Sequence, residues 1–428
     1  MTQPQTPNRW SVVIGAILIQ FCLGSIYAWS AFTVPLTAAG WTKTETQIVF
    51  SLELAVFALV MLYAGKLLAT IHPRYLILTS GTLVGLGYLI AGAMGGTSFW
   101  AVTLSIGFIT GTGLGMGYVV PIAVCMRWFP DKKGLITGIA VAGFGLGATC
   151  WGLLAAPWPK FLGVQGPNLL TTQGVGPTFM LFGAIFIVVV AIGSLFMKFP
   201  PDGWAPEGYV APVASAGGSA AGTVDFTISE MLGTSQFWLI IIVFTAGSAA
   251  GLSCIGLIKL YAKEQLMLAN IPEAIANGMG TFAMFIVFPI CNAIGRIAWG
   301  TAGDKLGRKM ALLLLVAIQG AIVLAFPILV SNEYGLYFCA GLIGFNFGGN
   351  FALFPTLTAD TFGTKRVGQN YPVVFLAYGL GGIIGPIVGG KMGDLGMSPQ
   401  AFTGCGIILL VCAVLVSLIK PASKPATA

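Results

Sequence analysis

The sequence predicts an all-α membrane protein with twelve transmembrane helices in two pseudo-symmetric six-helix halves. Three observations carry this. First, 57% of the 428 residues are hydrophobic and only 8% are charged, whereas a soluble domain carries about 25% charged residues. Second, apolar runs long enough to cross a bilayer recur between short polar breaks. Third, a basic pair, a short loop and a glycine-rich helix occur in corresponding places of the two halves, a construction common among secondary transporters.

The runs fall at 10–36, 47–70, 75–95, 98–126, 134–156, 177–198, 237–261, 276–301, 310–330, 335–359, 369–390 and 399–419. The first is longer than the apolar core of a signal peptide and lacks a small-residue cleavage site, so it is expected to stay as the first span. The sixth and seventh are separated by Pro200–Asp225, rich in Gly, Ala, Ser and Pro, which reads as a flexible linker. Residues 226–236 look like a short interfacial helix leading into span seven. The expected units are an N-terminal half at 1–199, a cytoplasmic linker at 200–235 and a C-terminal half at 236–428. The sixty glycines suit helices that approach closely in a membrane.

The repeat is specific. Gly134, Gly145 and Gly147 in span five match Gly368, Gly379 and Gly381 in span eleven at one constant offset, each set following a basic pair (Lys132–Lys133 and Lys365–Arg366).

Lys and Arg set the topology. With both termini cytoplasmic, fourteen basic residues fall on the cytoplasmic side, among them Arg9, Arg127, Lys133, Lys305, Arg308 and Lys365. Five (Lys43, Lys160, Lys259, Lys263, Lys391) fall outside, a clear positive-inside bias. The net charge of +7 therefore reports topology, not nucleic-acid binding.

Arg296 is the basic residue left over, well inside run eight. A guanidinium there costs about 2.5–3.5 kcal/mol on insertion scales and needs a partner. No acid lies nearby on the same helix, which leaves an anion from outside or an acid on another helix. Asn292, four residues earlier, shares the helix face. It can hold a hydroxyl, a keto oxygen or a second carboxylate lone pair, or bond a neighbouring helix. An arginine fork holds a carboxylate bidentately. Glu53, in run two, is the other anomaly. It suits a proton carrier, or it sits at a wet outer rim or pairs with Lys259. Asp360 and Asp394 fall near span ends, where structural roles are expected.

Enzymatic chemistry finds no support. No nucleophile–base pair, metal cluster or ATP-binding motif is present, and Gly111-Thr-Gly-Leu-Gly-Met-Gly117 lies inside an apolar span without the preceding strand of a nucleotide fold. The eight cysteines stand singly without metal-ligand or disulfide-framework spacing, and the one histidine, His72, falls in a loop. No cofactor or metal is expected.

Between spans eight and nine, Gly300-Thr-Ala-Gly-Asp304-Lys305-Leu-Gly307-Arg308-Lys309 resembles the cytoplasmic loop signature of the major facilitator superfamily. A carboxylate, a helix-ending glycine and a basic cluster can latch neighbouring helix ends. The first-half counterpart has Ala69 and Thr70 where an acid and a base would stand, so a symmetric latch is not expected. Within the superfamily the chain resembles the oxalate/formate antiporter family, akin to the monocarboxylate transporters. The residues are Tyr27-Ala-Trp29-Ser30, Arg127-Trp-Phe-Pro-Asp-Lys-Lys-Gly134, Met231-Leu-Gly-Thr-Ser-Gln-Phe-Trp238, Ala352-Leu-Phe-Pro355, Phe362-Gly363 and Asn370-Tyr371. The resemblance implies the major facilitator fold, a central cavity with Arg296 as its cation, and aromatic walls at Tyr27, Tyr118, Phe347, Phe351 and Phe375. It also implies a bacterial inner membrane. Members that carry oxalate have a lysine in span eleven where this chain has Tyr378.

A dianion facing one guanidinium keeps an uncompensated charge, which is expensive in a poorly screened cavity. A monocarboxylate balances it. The expected function is secondary active transport of lactate-, pyruvate-, formate- or acetate-like anions by alternating access, coupled to protons or run as exchange, by a monomer in the lipid bilayer. The alternatives are an oxalate/formate-type antiporter and, in another class, a carboxylate-binding sensor without flux.

Overall fold

The computed structural model describes residues 8–155, 169–201, 203–206 and 224–419. Most of the expected linker, together with Lys160 and the side chains of Lys43, Lys259 and Asp394, lies outside the described residues.

Twelve helical spans cross in sequence. Span one joins the α-helix Trp10–Leu23, the 3-10 segment Gly24–Trp29 and the α-helix Ser30–Ala38. Spans two and three are Lys43–Leu67 and Pro73–Ala93. Span four runs from Phe99–Val102 through a π turn, Thr103–Thr110, into Gly111–Trp128. Spans five and six are Lys133–Ala155 and Val175–Ser194. A short helix, Ile228–Leu232, opens with a capping box of Thr227 and Glu230 and leads into span seven, Ser235–Leu268. Span eight comprises Glu273–Phe282, a π turn at Ala283–Val287, and Phe288–Leu306. Spans nine to twelve are Arg308–Leu329, Glu333–Phe362, Val367–Asp394 and Ser398–Ser417.

Eleven helices among the described residues are long and apolar enough to cross a membrane on their own. The twelfth is span eight, which the π turn divides and which carries Asn292, Arg296 and the charged loop end. Its polarity is paid for by burial: Asn292 and Arg296 are 6% and 2% exposed. A polar helix of this kind is tolerated where it faces protein and not lipid.

The halves meet mainly through spans five and eight and spans two and eleven. At several points of these crossings glycine lets backbone meet backbone. A Cβ on Gly134 would strike the carbonyl oxygen of Gly300, and one on Gly300 that of Gly134. Gly138 lies likewise against the carbonyl of Arg296, and Gly65 against that of Gly368. The repeat therefore has one structural meaning in both halves. Gly134 and Gly145 abut span eight, while Gly368 and Gly379 abut span two. Gly147 abuts span one and Gly381 abuts span seven.

One end of the bundle, the basic face, carries the loop signature. Asp304 accepts hydrogen bonds from the backbone N–H groups of Gly134 (2.9 Å) and Leu135 (2.8 Å), so an acid of the second half caps span five in the first. Arg308 bonds both Asp304 (2.6 Å) and Asp360 (3.0 Å). Lys133 reaches Asp360 at 3.0 Å and Thr364 at 2.9 Å. Gly307, at φ +83°, makes the turn that brings Arg308 back onto this network; Lys305 is exposed and takes no part in it. At the pseudo-equivalent place, span eleven begins at Val367, and Arg366 before it makes no side-chain cap. There Arg127 donates to the backbone carbonyl of Lys365 at 2.6 Å instead.

Candidate functional site

Arg296 lies ten residues from the basic end of span eight, about 15 Å along the helix. Its Nε donates to Asn292 Oδ1 at 2.9 Å, the i, i+4 contact expected on one helix face. Its Nη1 donates to the carbonyl oxygen of Val141 in span five at 2.8 Å. The guanidinium carbon stands 4.5 Å from the ring centre of Phe351 and 5.8 Å from that of Phe144, both within cation–π range. Among the described residues no carboxylate pairs with it; the five ion pairs all lie elsewhere. The alternative of an acid on a neighbouring helix is thus not realised among them.

Asn292 spends its carbonyl oxygen on Arg296, so its remaining polar group is the amide NH2, a donor only. The site offers the Asn292 amide donor, tyrosine hydroxyls that donate or accept, and apolar rings. Phe351 packs edge-on to Tyr378 (5.1 Å) and Phe347 (5.6 Å). Phe375 lies 5.2–5.4 Å from Tyr378, Tyr118 and Phe57. Tyr118 stands edge-on to Phe144 at 5.3 Å. Tyr27, Tyr118, Tyr371 and Tyr378 all interact electrostatically with Arg296.

Every aromatic expected at the cavity joins this cluster, but not in one way. Tyr27 and Tyr378 bond each other, hydroxyl to hydroxyl at 2.5 Å, across the interface between halves. Phe347 is one ring removed from the arginine, packed on Phe288 and Phe351. Three participants are not among the site residues expected from the sequence. The Val141 carbonyl is a backbone group with no signature. Tyr371 is marked in the sequence only by the Asn370-Tyr371 motif. Phe144 was the one large side chain between Gly143 and Gly145, and that was the available signal.

Glu53 stands apart. Its helix starts at Lys43 and its side chain is 1% exposed, so it is not at a wet rim. Among the described residues neither of its carboxyl oxygens has a hydrogen-bond partner. The pairing considered with Lys259 rests on a side chain outside the described residues.

The family model of the Major Facilitator Superfamily matches residues 13–291 and 264–428. The chain belongs to this superfamily. It is a multi-pass membrane transporter by family, not a member of an enzyme family. It is 30% identical over 380 residues to an uncharacterized MFS-type transporter, YhjX, of Escherichia coli, covering 88% of this chain and 86% of that one. It is 25% identical over 428 residues to the oxalate:formate antiporter of Oxalobacter formigenes (97% and 92%). It is 26% identical over 461 residues to apicoplast pyruvate carrier 1 of Toxoplasma gondii (87% and 82%). Among solved structures it resembles FucP, a superfamily transporter crystallised in the outward conformation. The TM-score is 0.67 at 16% identity, over 96% of this chain and 99% of that one, a likeness of fold alone.

Proposed function

We propose that this chain is a secondary carrier of small monocarboxylates of the lactate, pyruvate, formate or acetate type, working by alternating access. The observation that carries the reading is Arg296: a 2%-exposed guanidinium with no carboxylate partner among the described residues, ringed by aromatics. One monocarboxylate neutralises it. The Asn292 amide supplies a further donor for a keto or carboxylate oxygen, and the rings of Phe144 and Phe351 cover a short apolar tail. The basic face is the cytoplasmic one in this reading, with both termini there, and the membrane is a bacterial inner membrane.

Transport follows from the crossing geometry. Arg296 is fixed to one half and its Val141 acceptor to the other, so a substrate that takes over part of the guanidinium changes how the halves are tied. Coupling to protons belongs to the same proposal, with Glu53 as the carrier.

Oxalate/formate exchange is the second reading, favoured by the 25% identity to the oxalate:formate antiporter along nearly the whole chain. Against it stands Tyr378, a neutral group in span eleven bonded to Tyr27. A competition panel in proteoliposomes separates the two. Inhibition of labelled L-lactate uptake by pyruvate, acetate and formate but not oxalate supports the monocarboxylate carrier. Oxalate competing as well as pyruvate sinks it.

A further inference from the structure

We infer that Glu53, Ser25 and Tyr88 form a proton-binding site inside the N-terminal half, and that the 3-10 segment Gly24–Trp29 links it to the Arg296 site. This rests on the carrier reading.

The three side chains come from spans two, one and three and are 1%, 1% and 2% exposed. Tyr88 lies close enough to both Glu53 and Ser25 to interact with each. Among the described residues, neither Glu53 oxygen nor the Ser25 hydroxyl meets the geometry of a hydrogen bond, and all three are buried. Span four packs against the backbone of span two at this level: a Cβ on Gly111 would lie 2.9 Å from the Glu53 backbone carbonyl oxygen and 3.2 Å from its Cα.

An ionised carboxylate left here without a partner is the most costly arrangement a buried acid can adopt. A proton removes the charge and turns one oxygen into a donor. The neighbours suit both states. Hydroxyls of serine and tyrosine donate or accept by rotating, so they can receive the proton of the acid or donate to the carboxylate. A metal cation is a poorer fit, since calcium takes six to eight oxygens and magnesium an octahedral shell. Of the titratable groups among the described residues, Tyr88 is the one that interacts with Glu53. Span four contributes the Gly111 backbone here and has its charged residue, Arg127, at the basic end. In span eleven, Tyr371 and Tyr378 interact with Arg296, and Lys391 sits in the last turn, at the opposite end. In span one, Tyr27 bonds Tyr378.

The link to the substrate site is the 3-10 segment. Ser25 and Tyr27 are two residues apart on it, which at three residues per turn sends them to different sides. Ser25 joins the Glu53 cluster while Tyr27 bonds Tyr378. Gly24, beside them, abuts the carbonyl of Phe144, whose ring faces Arg296. A 3-10 stretch inside a long helix often marks a hinge. A proton arriving at Glu53 rearranges Ser25, and the short segment carries that change to Tyr27 and Phe144.

The test compares two modes in proteoliposomes: uptake of labelled L-lactate driven by an inward proton gradient, and lactate exchange at symmetric pH. Glu53→Gln is expected to keep exchange. It should lose at least about tenfold of gradient-driven accumulation, the amount one proton supplies per pH unit. Ser25→Ala and Tyr88→Phe are expected to shift the pH midpoint of accumulation without abolishing exchange. Accumulation by Glu53→Gln with the wild-type pH profile overturns the site. So does an unchanged midpoint in both hydroxyl variants, which settles the matter even if Glu53→Gln fails to fold. Accumulation that follows a sodium gradient at symmetric pH overturns the proton as occupant. Absence of lactate flux in both modes of the wild type overturns the carrier reading and this site with it.

Discussion

Nη1 of Arg296, in span eight, donates to the carbonyl oxygen of Val141, in span five, at 2.8 Å. The binding group proposed for the substrate is therefore also a tie between the halves. Under the proposed function, binding and reorientation would share one guanidinium, which would account for a buried charge in a chain so poor in them.

The tie has a measurable strength. Arg296→Lys keeps the charge but cannot reproduce the planar fork that bonds Asn292 and Val141 together. At least one of the two hydrogen bonds to the charged group is lost, and the substrate-free protein should be destabilised by about 1.5–3 kcal/mol. Thermal unfolding in detergent checks this: a melting temperature several degrees below wild type is expected, and an unchanged one contradicts the role of the tie.

Charge balance predicts a gain of substrate. Tyr378→Lys places a second cation beside Arg296 and breaks the hydroxyl bond to Tyr27. Oxalate should then inhibit lactate uptake at least about tenfold more strongly than in wild type, a modest share of what a buried charge pair contributes. If oxalate inhibition is unchanged, the number of cations in the cavity does not set the preference.

At the basic face, Asp304 holds the N–H groups of Gly134 and Leu135 and the guanidinium of Arg308. Asp304→Asn removes the ion pair and weakens the cap, each contributing about 1 kcal/mol to closure of this face. Spin labels at positions 132 and 305, in a cysteine-free background, should show a distance distribution shifted to longer values by double electron–electron resonance. A distribution identical to that of wild type argues that the latch does not hold the halves together.

Two glycines of span five should behave differently. Gly138→Ala drives a methyl group into the Arg296 carbonyl and should cost about 1–3 kcal/mol, as overpacking does. Gly145→Ala meets only side-chain atoms of span eight, Asn292 Oδ1 at 3.3 Å, Ala293 Cβ at 3.6 Å and Arg296 Nε at 3.6 Å. That variant should fold with wild-type stability yet show a KM for lactate raised more than that for formate. Equal effects on both acids would place the substrate elsewhere.

The spans were legible because apolar length is a strong signal, and Arg296 was legible because charge inside such a run is rare. Asn292 followed from helix geometry. The pairing of Tyr27 with Tyr378 was not legible, because the two residues are far apart in sequence and meet only when the halves pack. The Val141 carbonyl was hidden for another reason: every residue has one, and only the glycine crossing brings that one to span eight. The depth of Glu53 was only partly legible, leaving a wet rim open as an alternative, because the apolar run begins at 47 whereas the helix starts at Lys43. Ser25 and Tyr88 carry no signature: a serine in an apolar helix usually bonds its own backbone, and a tyrosine there reads as an ordinary packing ring.

The most direct test of the central claim is uptake of labelled L-lactate into proteoliposomes by wild type and Arg296→Ala, alongside equilibrium binding of the same anion to both purified proteins. The account predicts saturable binding and uptake by wild type, with both lost in Arg296→Ala. Lactate binding retained by Arg296→Ala at wild-type affinity would contradict it.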